Sequence, residues 1–424
     1  MSDGFAFSRE QTVAVALMIT FSIMSYFDRT IMSIAGPQIM KEFNILPTQM
    51  GSVYSAFVLS YAIMMIPAGH VADRLGPRLT LLLMGFSAAL FTGLTALGGK
   101  PGLGSIIGVV PALITIRLGL GIGTAPLYPA CGKMSAHWIP VTHQGVVQAL
   151  IIAGSSMGAA VSPMLFSWLM RLFLWRMSFG IAAVATATLA LLWYGLVHDH
   201  PSAEGSARRP RTVGGWRTLV TNRNLALVTF AYFTLGYFEY IFFYWIYYYL
   251  GQVRQIGYTQ SARYTTIIFL TMGIMMPIGG WVSDRLTRSY GARFGRRIIP
   301  IAGLGLGSIL LYCGTAAPGI ALSVLSFSLA IGFASWCEGP FWASTIEAAG
   351  EQVGTACGIL NTGGNAGGFI APLLTPYIAS WAGWSWGLYA GSFMAVIGVV
   401  ACFLVDPRRD SIIVGTAAVA PTSL

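Results

Sequence analysis

Residues 69–78 read Gly69-His-Val-Ala-Asp73-Arg74-Leu-Gly76-Pro-Arg78, and residues 280–288 read Gly280-Trp-Val-Ser-Asp284-Arg285-Leu-Thr-Arg288. Each is a short charged turn at the end of a long apolar run, and the two Asp-Arg pairs are 211 residues apart. A second echo is independent of the first. Gly158-Ala-Ala-Val-Ser-Pro163 returns as Gly367-Gly-Phe-Ile-Ala-Pro372, 209 residues later. Two unrelated features at nearly one offset imply a duplicated unit.

Composition says what the unit is made for. Of 424 residues, 55% are hydrophobic and only 9% charged, with a mean hydropathy of +0.70. A soluble domain carries about 25% charged residues, so most of this surface must face lipid. A window of about 20 apolar residues, the length of one span, fits twelve times. Six spans fall at 12–37, 49–71, 79–99, 105–130, 144–169 and 176–197, and six at 224–250, 262–284, 298–316, 318–343, 354–379 and 384–405. The polar stretch 198–223, with five arginines, separates them as a linker. The expected fold is an all-α membrane protein of twelve transmembrane helices in two pseudo-symmetric six-helix bundles, 1–197 and 224–424. Parallel repeats with a site at their interface are a transporter architecture.

The net charge of +10 could suggest nucleic acid, but its distribution does not. With both termini cytoplasmic, 16 of the 24 basic residues fall on the cytoplasmic side and six opposite, as the positive-inside rule requires. Expected is a multi-pass protein of the inner membrane, with lipid and no nucleic acid as partner. MSDGFAFSRE lacks the pattern of a cleaved signal, so the first apolar run reads as a retained span. The five cysteines are scattered in apolar stretches, and the five histidines lack metal-ligand spacing. No nucleophile-base pair or phosphate loop is present. No enzyme activity, metal or cofactor is expected.

The segment Gly69 to Arg78 resembles the loop signature of the major facilitator superfamily, and the six-plus-six layout extends the likeness over the whole chain. Four helices are similar to the anion:cation symporter family of bacterial sugar-acid carriers and organic-anion transporters. These are Tyr26-Phe-Asp28-Arg29 in span one, Ser55-Ala-Phe57 with Tyr61 in span two, Arg117-Leu-Gly-Leu-Gly121 with Ala125-Pro126 in span four, and Asn361-Thr-Gly-Gly-Asn365 in span eleven. The resemblance implies proton-coupled symport of a small organic anion, a monocarboxylate such as a sugar acid or aromatic acid. A monomer suffices for that. A drug/proton antiporter or uniporter of the same fold is the alternative. Departures from the family pattern are Thr124 for its span-four glutamate, Met65 for a span-two glutamine, and Glu338 for a small residue in span ten.

An ionisable group at mid-bilayer costs about 2.5–3.5 kcal/mol on insertion scales, so each one needs a reason. Asp28, Arg29, Arg117, Glu239 and Glu338 qualify. Arg117 is expected to take the substrate carboxylate, because a guanidinium matches it with a planar fork. Asp28 and Glu338 are expected to carry the proton: an anion drawn to the arginine frees the acid to be protonated. Arg29 points about 100° from Asp28 on a helix, so the two serve different faces. Tyr61, Ser156, Asn361, Asn365, Tyr240 and Trp342 are the expected cargo contacts, with Glu239 a weaker candidate. Asp73, Arg74, Arg78, Asp284 and Arg285 are expected to serve gating.

Overall fold

A backbone crossing lipid must satisfy its own hydrogen bonds, so long apolar runs become helices. The computed structural model describes residues 8–139, 141–198, 222–348 and 353–405. Most of the linker and the basic pair Arg408–Arg409 lie outside them. The first half contains α1 (Arg9–Phe43), α2 (Pro47–Leu75), α3 (Pro77–Ala96), the short α4 (Leu103–Ile107), α5 (Val109–Thr124), α6 (Leu127–Trp138) and α7 (Val141–Leu196). The second contains α8 (Arg223–Tyr248), α9 (Tyr258–Tyr290), α10 (Ala292–Ala316), α11 (Ile320–Ala334), α12 (Glu338–Ala348), α13 (Val353–Ala382) and α14 (Trp384–Leu404).

Among the described residues, nine helices are long and apolar enough to cross a membrane, and α2 makes a tenth across a 58° bend. The 56 residues of α7 would run about 84 Å at 1.5 Å per residue, far beyond a bilayer core. The run breaks at Leu174, whose φ of 60° and ψ of 167° are non-helical, and so holds two passes. Helix α13 is 30 residues long but falls short on hydropathy. Asn361, Thr362, Asn365 and its glycines dilute it. The helices are thus consistent with twelve spans.

The duplication is visible in three dimensions. Span four breaks between Thr124 and Leu127, around Ala125-Pro126. Span ten breaks into a 3-10 turn at Ser335–Cys337, 211 residues later. Glycines repeat too. A Cβ on Gly154 would meet the Ile19 carbonyl oxygen at 2.9 Å, and one on Gly363 would meet that of Thr229 at 2.7 Å. Gly158 and Gly367 press likewise on the carbonyls of Ile23 and Phe233. Small residues at these crossings let backbones touch, which is how helices associate without a hydrophobic driving force. The contacts fix α8 as α1 shifted by 210 residues, so Arg29 and Glu239 occupy equivalent places.

The bundles meet at the end where α1 turns into α2. Tyr54 of α2 stacks on Tyr244 of α8, centroids 5.0 Å apart. Tyr54 also meets the Trp245 ring edge-on at 5.3 Å, and Ser55 Oγ donates to the Phe369 carbonyl (2.7 Å). Gly51 abuts Pro372 and Pro376. That end is shut.

Replacing Gly367 with Val would drive a branched side chain into the α8 backbone. Overpacking of this kind costs about 1–3 kcal/mol, and a lowered apparent Tm of the purified protein is expected; an unchanged Tm would contradict the tight crossing.

Candidate functional site

Arg29 stands near the middle of α1 and turns to the seam between the bundles. Its Cζ lies 5.2 Å from the Tyr26 ring, 5.0 Å from Phe57, 5.7 Å from Tyr61 and 4.8 Å from Tyr240. Four ring faces around one guanidinium replace part of its lost hydration, each by a cation–π attraction. Its Nη2 donates to the Tyr240 hydroxyl, joining α1 to α8. Tyr26 shares the face because three residues is nearly one helical turn.

The polar chain continues across α13. The Tyr240 hydroxyl is 3.5 Å from Asn365 Oδ1, and Asn365 Nδ2 donates to the Asn361 main-chain oxygen (2.9 Å) and Oδ1 (3.1 Å). Asn361 Nδ2 in turn donates to the Met65 sulfur of α2 at 3.1 Å. Four helices from both bundles are linked side chain to side chain. Here Met65 acts as a polar partner, a role its replacement of an amide did not suggest.

A second cluster faces the seam from the C-terminal bundle. Glu338 begins α12 just past the 3-10 break, and its Oε2 accepts from Tyr232 (3.0 Å) and from Trp342 Nε1 (3.2 Å). Trp342 Nε1 also reaches the Tyr232 hydroxyl at 3.3 Å. Glu338 and Trp342 are half-buried. Ser156 is half-buried in α7, opposite Gly273 of α9 across the seam.

Arg117 borders this region, its Cζ 5.4 Å from the Phe57 ring that also flanks Arg29, but its donors point elsewhere. It is 1% exposed, and its Nη2 and Nη1 donate to the main-chain oxygens of Arg29 (2.7 Å) and Asp28 (3.4 Å). The fork expected to hold a carboxylate is engaged with the α1 backbone. Asp28 also faces inward, where its Oδ2 accepts from Thr186 of α7 at 2.9 Å. The two charges make no direct ion pair, yet lie close enough to offset each other within the N-terminal bundle. The 100° between adjacent residues separates them: Asp28 goes to the bundle interior and Arg29 to the seam. Thr124 donates to its own helix, at the Leu120 oxygen (2.8 Å), and offers no acid at that level.

The charged turns sit at the opposite end from the closed one. Lys133 of α6 pairs with Asp73 (3.5 Å) and donates to the oxygens of Ala72 and Asp73. Arg78 donates to the Tyr194 oxygen (2.6 Å), while Trp193 Nε1 donates to the Arg78 oxygen (3.0 Å). Arg285 lies over Trp281, and the Asp284 oxygen accepts from Arg288. These contacts tie helix ends within one bundle. Arg74 is exposed beside them.

Two helical bundles meeting on a caged guanidinium, in a chain of apolar spans, define a multi-pass membrane transporter. The chain belongs to the major facilitator superfamily, whose family model matches residues 18–292 and 289–423. A probable sulfoacetate transporter of Cupriavidus necator is 26% identical over 413 residues, covering 93% of each chain. The hexuronate transporter of Bacillus subtilis is 27% identical over 404 residues, again covering 93% of each. In fold, the chain is similar to the crystal structure of a bacterial homologue of the human lysosomal transporter Spinster in an inward-facing, unoccupied conformation. There the TM-score is 0.77 at 15% identity, over 94% of this chain and 98% of that one. The superfamily is one of transporters, and enzyme activity is set aside.

Arg117→Ala would leave Asp28 buried without its neighbouring positive charge. It would also remove two charged hydrogen bonds to the α1 main chain, each worth about 1.5–3 kcal/mol. The expected outcome is a strongly lowered Tm, and a Tm equal to the parent's would remove Arg117 from the scaffold.

Proposed function

We propose that this chain is a secondary active transporter that moves a small monocarboxylate, such as a sugar acid or aromatic acid, together with a proton by alternating access. It works as a monomer in the inner membrane with both termini cytoplasmic. The observation that carries the reading is Arg29: a guanidinium at mid-span, on the seam, which donates across it to the neutral Tyr240 hydroxyl. A carboxylate is the better partner for that fork, and it displaces Tyr240 on arrival. The two relatives, named as a probable sulfoacetate transporter and a hexuronate transporter, support an organic anion as cargo.

Coupling follows from charge. In the empty carrier Arg29 is offset by Glu338, which faces the same seam. An arriving anion cancels the arginine and leaves Glu338 uncompensated in a poorly polar space, so it takes a proton. The loaded site is neutral and can cross. Asp28, the other acid expected to carry the proton, serves in this reading to hold α1 against α7. Tyr61, Asn361, Asn365 and Trp342 line the cargo's polar and ring faces. Ser156 and the charged turns act in the switch between states. The present arrangement, shut at the α1–α2 turn, corresponds to the inward-facing state.

In proteoliposomes, sulfoacetate, glucuronate and an aromatic monocarboxylate test the reading. Uptake is expected to acidify the lumen; drug-driven alkalinisation would favour an antiporter instead. Arg29→Ala should weaken binding by about 30-fold or more, the consequence of losing one side of a charged pair. Glu338→Gln should keep substrate counterflow and lose acidification. Anion uptake with no proton movement in the parent would defeat the proposal.

A further inference from the structure

Glu239 has no part in the reading above, yet it is a buried acid left short of partners. It is only 6% exposed, and its Oε1 has no hydrogen-bond partner. It lies seven residues beyond Tyr232 on α8, hence within about 20° of the same face. That face already holds Glu338 through the Tyr232 hydroxyl. Glu338 lies within electrostatic reach of Glu239, and Tyr26 lies within reach of Glu239, Glu338 and Arg29 alike.

The surroundings give Glu239 little relief. The elements packed on this region supply Tyr26 and Arg29 from α1, Cys337 and Glu338 from the span-ten break and α12, and Cys402 from α14. From α13 come the neutral amides Asn361 and Asn365, and α8 adds Tyr232. Arg29 is the one positive charge in that set, against the two acids Glu239 and Glu338. With Arg117 and Asp28 offsetting each other, the five mid-span ionisable groups carry a net charge of −1 when all are ionised. An unpaired buried carboxylate is too costly to persist, and two neighbouring carboxylates settle by keeping one proton between them. The two donors on Glu338 suit a carboxylate, and the partnerless Glu239 oxygen suits the neutral acid.

We propose that Glu239 and Glu338 form a two-carboxylate proton site in which Glu239 keeps a standing proton and Glu338 exchanges one with the cavity water during transport. The proposal rests on the anion–proton reading above and adds a second acid to it. With Glu239 neutral, an anion on Arg29 meets a single negative charge, which one proton removes. When Glu239 ionises at alkaline pH, a second proton must be recovered before the anion binds.

The experiment has two arms on purified, full-length protein. Without ligand, the parent-minus-Glu239→Gln infrared difference at neutral pH is expected to show the C=O stretch of a protonated carboxylic acid; carboxylate bands alone would overturn the proposal. With glucuronate as probe, Kd is followed from neutral to alkaline pH. Each linked proton weakens binding by up to about tenfold per pH unit. The parent should approach about a hundredfold per unit, while Glu239→Gln and Glu338→Gln should each stay at or below about tenfold. A Glu239→Gln slope equal to a steep parental slope sinks this inference and leaves symport standing; a flat parental profile sinks both. Glu239→Leu, apolar and of similar size, gives a second check on the infrared and slope results.

Discussion

A charge in the middle of a bilayer has to be matched there, and the placement of Arg29 organises much of this molecule. Its guanidinium cannot reach water at either end of α1, and its own bundle supplies it with rings and no carboxylate. The nearest relief lies across the seam, at Tyr240 and beyond it at the acids of the C-terminal bundle. The two halves are therefore bound to each other by an incomplete match. In the proposed function an anionic ligand completes it, which is the differential interaction that any ligand-driven change of state requires.

The duplication lets one sequence unit supply both sides of that match. Glycines at corresponding places press α7 on α1 and α13 on α8, setting the inner helices in the same register within each bundle. In that register a cation stands at position 29 and an acid at position 239. Symmetric scaffolding with opposite charges at the equivalent point gives a bipolar seam. The helix breaks at Ala125-Pro126 and Ser335–Cys337 repeat as well, but their chemistry diverges. The first is followed by Leu127, and the second by Glu338, so an acid follows the break in one bundle only.

The fold was largely legible because lipid imposes a simple rule on sequence. Long apolar runs, the repeated Asp-Arg turns and the Gly/Pro echo required no knowledge of contacts. The site was legible only in part. Which residues are charged and lie at mid-span can be read directly, but where a guanidinium spends its hydrogen bonds cannot. Arg117 and Arg29 look equally suited to a carboxylate in the sequence. In the fold, one of them is satisfied by the main chain of α1 and the other opens on the seam. Glu239 was undervalued for a similar reason, since its closeness to Glu338 joins α8 to α12 across 99 residues of chain.

By itself, the sequence determined the solvent, the span lengths, the twofold repeat and the set of buried charges, because these depend on composition and on spacing along one chain. It also separated Asp28 from Arg29, since adjacent residues on a helix point about 100° apart whatever surrounds them. Tertiary structure alone decided which of those charges meet. Helix rotation and crossing set which face of α5 lies against α1 and which face of α8 lies against α12. A rotation of one residue would exchange the interior and seam roles of Asp28 and Arg29.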